Sequence, residues 1–163
     1  MDSEEVMRVL GDPVAQRLLQ SPLLARLAYN GADGGPRVIP IGYVWTGSSF
    51  VMCTATVAPK VAALQRDARV ALEVDSDTLP PNILLVRGTA DVEIVDGIPD
   101  EFLAASHKAV PDEQWPAFEE QVRALYPAMA RISITPHWAK VLDFETRVPI
   151  AVERLARGDD PTP

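Results

Sequence analysis

The segment Arg37-Val38-Ile39-Pro40-Ile41-Gly42-Tyr43-Val44-Trp45, the turn Thr46-Gly47-Ser48-Ser49 and the run Phe50-Val51-Met52-Cys53-Thr54-Ala55-Thr56 decide how the chain folds. Two apolar runs rich in β-branched and aromatic residues are separated by only four turn-forming residues, the pattern of paired antiparallel strands. Parallel neighbours would need a crossover of about a dozen residues or more. A third run, residues 24–30, precedes them across the turn Gly31-Ala32-Asp33-Gly34-Gly35. The three runs predict an antiparallel meander.

Upstream of the meander the period is helical. Asp2 with Glu5 has the spacing of a capping box, and Val6, Val9 and Leu10 share one face until Gly11. Asp12-Pro13 restarts a helix as N-cap and first-turn proline, with Val14, Leu18 and Leu19 as its stripe. Downstream, residues 58–67 have helix-forming composition and lead into a strand at 70–74. A polar loop over 75–81 is followed by a long strand at 83–95, in which Val86, Gly88, Ala90, Val92 and Ile94 alternate with polar residues. Residues 99–127 read as helical, with Trp115, Phe118, Val122 and Leu125 as packing positions. Two last strands, 130–135 and 138–144, are joined at Pro136-His137, and the tail 157–163 has no apolar anchor and is expected to be disordered. The expected class is β-rich α+β: a six-stranded antiparallel split β-barrel with flanking helices, because curling a sheet removes exposed edges. Its expected division is N-terminal helices over 1–20, the barrel over 21–150 and a tail over 151–163.

Composition narrows the function. The chain has 163 residues, 47% hydrophobic and 23% charged, and a net charge of −8. A field of that sign repels phosphate backbones and anionic lipid surfaces, so neither nucleic acid nor membrane is an expected partner. No apolar stretch approaches the roughly 20 residues that span a bilayer, and the start Met1-Asp2-Ser3-Glu4-Glu5 is acidic where a signal peptide is basic. A cytoplasmic, unprocessed protein is expected. Cys53 is the single cysteine and His107 and His137 the two histidines, too few for a zinc site, so no metal is expected. Nothing places a base beside Cys53, and the pair Ser106-His107 lacks a spaced acid, so a nucleophilic triad is not the expected chemistry.

The informative residues return to the opening segment. Pro40, Gly42 and Ala55 are small or backbone-exposing where strands usually carry bulk, and glycine in a strand often marks close approach of a ligand. A flat ring fits such a wall. After it come the hydroxyls of Thr54 and Thr56, a helix start at Ala58-Pro59 and Lys60, one of three lysines in the chain, a set suited to an anionic group such as phosphate. Trp45 and Trp138 are expected as barrel or interface anchors.

The ordered set Asp33-Gly34-Gly35-Pro36, Val38-Ile39-Pro40, Cys53-Thr54, Lys60, Arg66-Asp67-Ala68-Arg69-Val70 and Val86-Arg87-Gly88-Thr89-Ala90 resembles the pyridoxamine 5′-phosphate oxidase-like family of flavin-binding split barrels, over about residues 18–144. The resemblance implies a homodimer that holds FMN, or alternatively the deazaflavin coenzyme F-420, in clefts at the subunit interface. On that pattern Lys60 pairs with the cofactor phosphate and Thr54 and Thr56 bond to phosphate or ribityl oxygens. The backbone of Pro40, Ile41, Gly42, Tyr43, Met52, Cys53 and Thr54 lines the ring, and Arg37 reaches the cofactor. It implies hydride transfer to or from a small organic substrate, with the chemistry carried by the cofactor; a non-catalytic flavin carrier on the same fold is the alternative. The chain departs from the family at Val57-Ala58-Pro59, where many relatives carry Ser or Arg, and it lacks the C-terminal Trp and Arg-Leu-x-Pro elements of vitamin B6 oxidases.

Overall fold

The structure, a computed structural model, describes residues 1–147 and 150–157. Two helices, α1 (Ser3–Leu10) and α2 (Pro13–Gln20), lead into β1 (Ala25–Asn30), β2 (Pro36–Ile41), β3 (Val44–Trp45) and β4 (Phe50–Ala55). Helix α3 (Pro59–Arg66) precedes β5 (Arg69–Asp75) and the long β6 (Asn82–Asp96). A helical pair, α4 (Asp100–His107) and α5 (Trp115–Leu125) with a short 3-10 turn between them, then gives way to β7 (Ala128–Asp143) and α6 (Ile150–Arg157). Residues 158–163 of the expected tail lie outside the described residues.

The helix starts follow their sequence signals. Asp2 accepts from the Glu5 amide at 2.8 Å while Glu5 Oε2 accepts from the Asp2 amide at 3.1 Å, closing the capping box. Asp12 caps α2 through the Val14 amide at 2.8 Å, with Pro13 in the first turn.

One antiparallel sheet runs in the order β2-β1-β5-β6-β7-β4-β3. Its two edge strands, β2 and β3, are consecutive in the chain, separated only by Gly42 and Tyr43. Three peptide steps from Ile41 to Val44 span at most about 11 Å. The sheet must therefore curl until its edges almost touch. It does not close: β3 pairs only Val44 with Val51 and Trp45 with Phe50, so beyond Val51 the far edge of β4 has no strand partner among the described residues. The outer edge of β2 has none either. A split thus opens from the Gly42-Tyr43 hinge, with β2 as one lip and β4 as the other.

The sheet holds seven strands rather than the expected six. The expected single run 37–45 breaks at Gly42-Tyr43 because the chain crosses there from one sheet edge to the other, which makes β3 a strand of its own. The two expected last strands are one, β7, which pairs with β6 along its length. Arg87 pairs with Trp138 and Gly88 with Pro136, leaving His137 as the extra residue of a bulge. The proline, which lacks an N–H to give the ladder, sits at that irregularity.

Alternate residues of the strands point inward. Leu27, Phe50, Met52, Leu72, Val74, Leu84, Val86, Ile132 and Ile134 form the barrel interior, and Tyr43 and Trp45 pack on Phe50 with ring centroids 5.9 and 4.7 Å away. Val6 and Leu10 of α1 and Val14, Ala15, Leu18 and Leu19 of α2 join the same core. Burying each large side chain of this kind contributes about 1.5–3 kcal/mol, so these helices are integral to the barrel.

Candidate functional site

The two lips of the split sort the predicted residues by face. On the β4 lip, Met52 and Thr54 point to the inner side and Cys53 to the outer side, as strand alternation requires. Met52 is fully buried in the core, and so is Tyr43, whose hydroxyl donates to the Leu18 carbonyl at 3.1 Å. Burial pushes the Tyr43 hydroxyl well above the ordinary tyrosine range. For these two residues only the backbone is available to a ligand in the split. On the β2 lip, Pro40 is exposed and Ile41 packs part-way into the core.

At the end away from the hinge, β4 turns through Thr56 into α3. Lys60, in the first turn of that helix, donates to Thr54 Oγ1 at 3.1 Å. Burial of the ammonium holds its pKa below the ordinary lysine value, and no carboxylate among the described residues lies within salt-bridge distance of it. The start of α3 also lacks a side-chain cap, because Ala58 occupies the N-cap position. A half-buried cation, a hydroxyl and an uncapped helix start together present donors and no acceptor of opposite charge, which suits a phosphate.

Arg37 lies at the same end. It lines a small recess of about 270 Å³ with Tyr29, Asp33, Pro59 and Ala63. Its guanidinium is engaged, donating to Asp33 Oδ2 at 2.6 Å and to its neighbour's carbonyl, Pro36 O, at 3.1 Å. That bond holds the Asp33 carboxyl below the usual carboxylate range. A ligand using Arg37 must compete with this pair.

At the hinge end, Gly42 and Cys53 face a different space. They form the wall of a cavity of about 270 Å³ beneath α4, roofed by Phe102, Ala105, Ser106 and Phe118. Burial pushes the Cys53 thiol up to about 12, the nearby Glu101 carboxylate adding to the shift and Arg131 opposing it. Those two charges pair between α4 and β7: Arg131 donates to one carboxylate oxygen, Glu101 Oε1, through both Nε at 3.0 Å and Nη2 at 2.5 Å.

Two features beside the site have no counterpart in the sequence expectations. Lys108, just past α4, donates to the carbonyls of Leu19 at 3.1 Å and Tyr43 at 3.2 Å, with its ammonium 4.6 Å from the Tyr43 ring centroid. It ties the helical pair to the hinge. The Glu101–Arg131 pair fixes the other end of α4. The signal for Lys108 was the rarity of lysine in the chain; Glu101 and Arg131 lie 30 residues apart and only the fold joins them.

Among the described residues no group of three His, Cys, Asp or Glu side chains could hold a metal ion, and no helix is long and apolar enough to cross a membrane.

The sequence model of the pyridoxamine 5′-phosphate oxidase family matches residues 12–140, which include β1 to β6, most of β7, α3 and both lips of the split. No curated protein matches the chain. Among solved structures it is similar to an F-420 reductase, at 21% identity and TM-score 0.58, over 77% of this chain and 94% of that one. It is also similar to a FAD-binding protein from Mesorhizobium loti, at 19% identity and TM-score 0.51, over 77% of this chain and 87% of that one. A heme binding protein from Mycobacterium smegmatis shares 19% identity and a TM-score of 0.57, over 82% of this chain and 54% of its own. At these identities the likeness is one of fold.

Proposed function

The chain belongs to the pyridoxamine 5′-phosphate oxidase family, and on that premise we propose that it is a cytoplasmic, FMN-binding oxidoreductase of that type, transferring a hydride to or from a small organic substrate. The observation that carries this reading is Lys60: a half-buried ammonium whose one partner among the described residues is a hydroxyl, at the uncapped start of a helix, at the mouth of an open split. The residues fit the group. Lys60, Thr54 and Thr56 would hold the phosphate end, and the two lips, at Pro40, Ile41 and Gly42 on one side and Met52 to Thr54 on the other, would flank the ring. When bound, the flavin supplies the hydride chemistry. The chain's part is to anchor the charge, keep the ring against the backbone and leave its reactive face toward a substrate.

Coenzyme F-420 is the second reading, favoured by the structural relative of that name. The acidic tail of that coenzyme asks for a basic groove, whereas this chain carries a net charge of −8, so FMN is preferred.

The reading includes a homodimer. The outer face of β2, β1, β5, β6 and β7 bears a groove of about 300 Å³ in which Val38, Ala71, Leu85 and Trp138 lie among Arg26, Glu73 and Arg87, and Val38 there is 64% exposed. A second copy would cover this groove, with the Arg87 guanidinium stacked 4.6 Å over Trp138 as its anchor.

Titration of the purified protein with FMN, and separately with coenzyme F-420, tests the reading by fluorescence quenching. Saturable binding of one FMN per chain is the expected result. Binding of neither at tens of micromolar overturns it.

A further inference from the structure

The cavity beneath α4 is set apart from the anion-binding end of the split by its chemistry. Gly42 and Cys53 form its floor, Phe102, Ala105 and Ser106 of α4 and Phe118 of α5 its roof. Among the described residues no charged side chain lines it. The ionic groups beside it are spoken for: Glu101 and Arg131 neutralise each other in an ion pair, and Lys108 turns its ammonium to the carbonyls of Leu19 and Tyr43. A phosphorylated or carboxylated molecule placed here would lose its hydration with no counter-charge to replace it. An apolar molecule would gain in proportion to the area it buries. Size sets a second limit, since an apolar cavity of about 150 Å³ holds one benzene ring and this one measures about 270 Å³.

We propose that this cavity is a binding site for an uncharged molecule of one or two aromatic rings, held by Phe102 and Phe118, with the Ser106 hydroxyl as its polar anchor. The two phenyl rings are nearly parallel, at 10° with centroids 6.4 Å apart, and present flat apolar surface to a flat guest. Binding follows from the walls alone. That the guest is also the substrate rests on the flavin reading, since Gly42 and Cys53 belong both to this floor and to the lips proposed to flank the ring.

The test uses the full chain with 6-propionyl-2-(dimethylamino)naphthalene, a neutral two-ring probe whose fluorescence shifts to the blue and rises in apolar surroundings. The wild-type protein is expected to bind it saturably, one per chain, and the bound probe to slow modification of Cys53 by methyl methanethiosulfonate. Ala105→Phe fills the space, because the Ala105 methyl already lies 3.7 Å from where a Cβ on Gly42 would be. It is expected to weaken probe binding by about tenfold or more. Should that variant fail to fold, Ala109→Phe at the exposed mouth of the cavity is read the same way. Absence of saturable binding to wild type, or unchanged affinity in a folded filling variant, overturns the proposal. Lys60→Ala separates the two readings: it is expected to weaken FMN and leave the probe untouched. Wild-type probe binding without FMN binding overturns the flavin reading and upholds the cavity; the reverse result upholds the flavin and overturns the cavity.

Discussion

Lys60 reaches back across the end of β4 to Thr54, Nζ to Oγ1 at 3.1 Å, and so holds its charge at the mouth of the split without a carboxylate partner among the described residues. A lysine part-buried in this way has lost hydration that a phosphate can replace. Lys60→Ala is expected to weaken FMN binding by about 1.5–3 kcal/mol, or roughly 10- to 150-fold, the worth of a charge-assisted contact. Thr54→Val is expected to cost less, about 0.5–1.5 kcal/mol, because it removes a neutral hydroxyl. Quenching titrations measure both; equal affinity in Lys60→Ala and wild type would place the phosphate elsewhere.

Gly88 sits at the bulge where β6 slips against β7, and a Cβ there would come within 2.6 Å of Ile134 Cγ2 and 2.7 Å of the Thr135 carbonyl oxygen. The carbonyl belongs to the paired strand and cannot swing aside. Gly88→Ala is expected to destabilise the fold by about 1–3 kcal/mol through overpacking, read as a lower urea midpoint at unchanged slope. An unshifted midpoint would show that the bulge relaxes freely.

Local signals in the chain were sufficient for most of the elements. The Asp2/Glu5 box, the Asp12-Pro13 start and the alternation through Val86 to Ile94 all correspond to observed structure, because each depends on neighbours a few residues apart. Strand order is a different matter. That Gly42-Tyr43 carries the chain between the two edges of the sheet depends on β5, β6 and β7, which follow later, so the run 37–45 read as one strand. Likewise Pro136-His137 read as a break, because the register slip that accommodates it is contributed by Gly88, about 50 residues upstream. At the site, Lys60 and Thr54 are six residues apart and were legible together, whereas Lys108 meets Leu19 and Tyr43 only through the fold.

Acid should loosen the end of β7 in a defined way. Asp143 is buried, and its carboxylate accepts from the Thr146 hydroxyl and amide, the Glu145 amide and Arg147 Nε. Arg147 in turn grips Asp12, the N-cap of α2, at 2.9 and 3.0 Å. The bonds from Thr146 hold the Asp143 carboxyl below its ordinary value of 3.8, and Arg147 does the same for Asp12. A depressed folded-state pKa stabilises the fold above the unfolded value, and that contribution is lost as pH falls through the folded one. Stability is therefore expected to be level above about pH 5 and to fall progressively from about pH 4 downward. Asp143→Asn is expected to lower the melting temperature at neutral pH and to flatten the acid limb. An acid limb as steep as that of wild type would assign the effect to other carboxylates.

Cys53 offers a sign test of the electrostatics around α4. Its thiol is pushed up to about 12 chiefly by burial; Glu101 raises it further and Arg131 opposes it. Only the thiolate reacts at an appreciable rate, so alkylation by iodoacetamide at pH 8 is expected to be slow in the native protein. Glu101→Gln removes the charge that raises the pKa and frees Arg131 from its partner, and both changes favour the thiolate. Arg131→Gln removes the opposing charge and leaves Glu101 facing the sulfur. The rate at fixed pH is therefore expected to rise in the first variant and fall in the second, by several-fold each. Either substitution also breaks the pair that fastens α4 to β7. If loosening of the helix governed reactivity, exposure of Cys53 would speed both variants. Opposite shifts in the pH–rate profile identify the field of the pair as the cause, and a common acceleration identifies the helix as the gate.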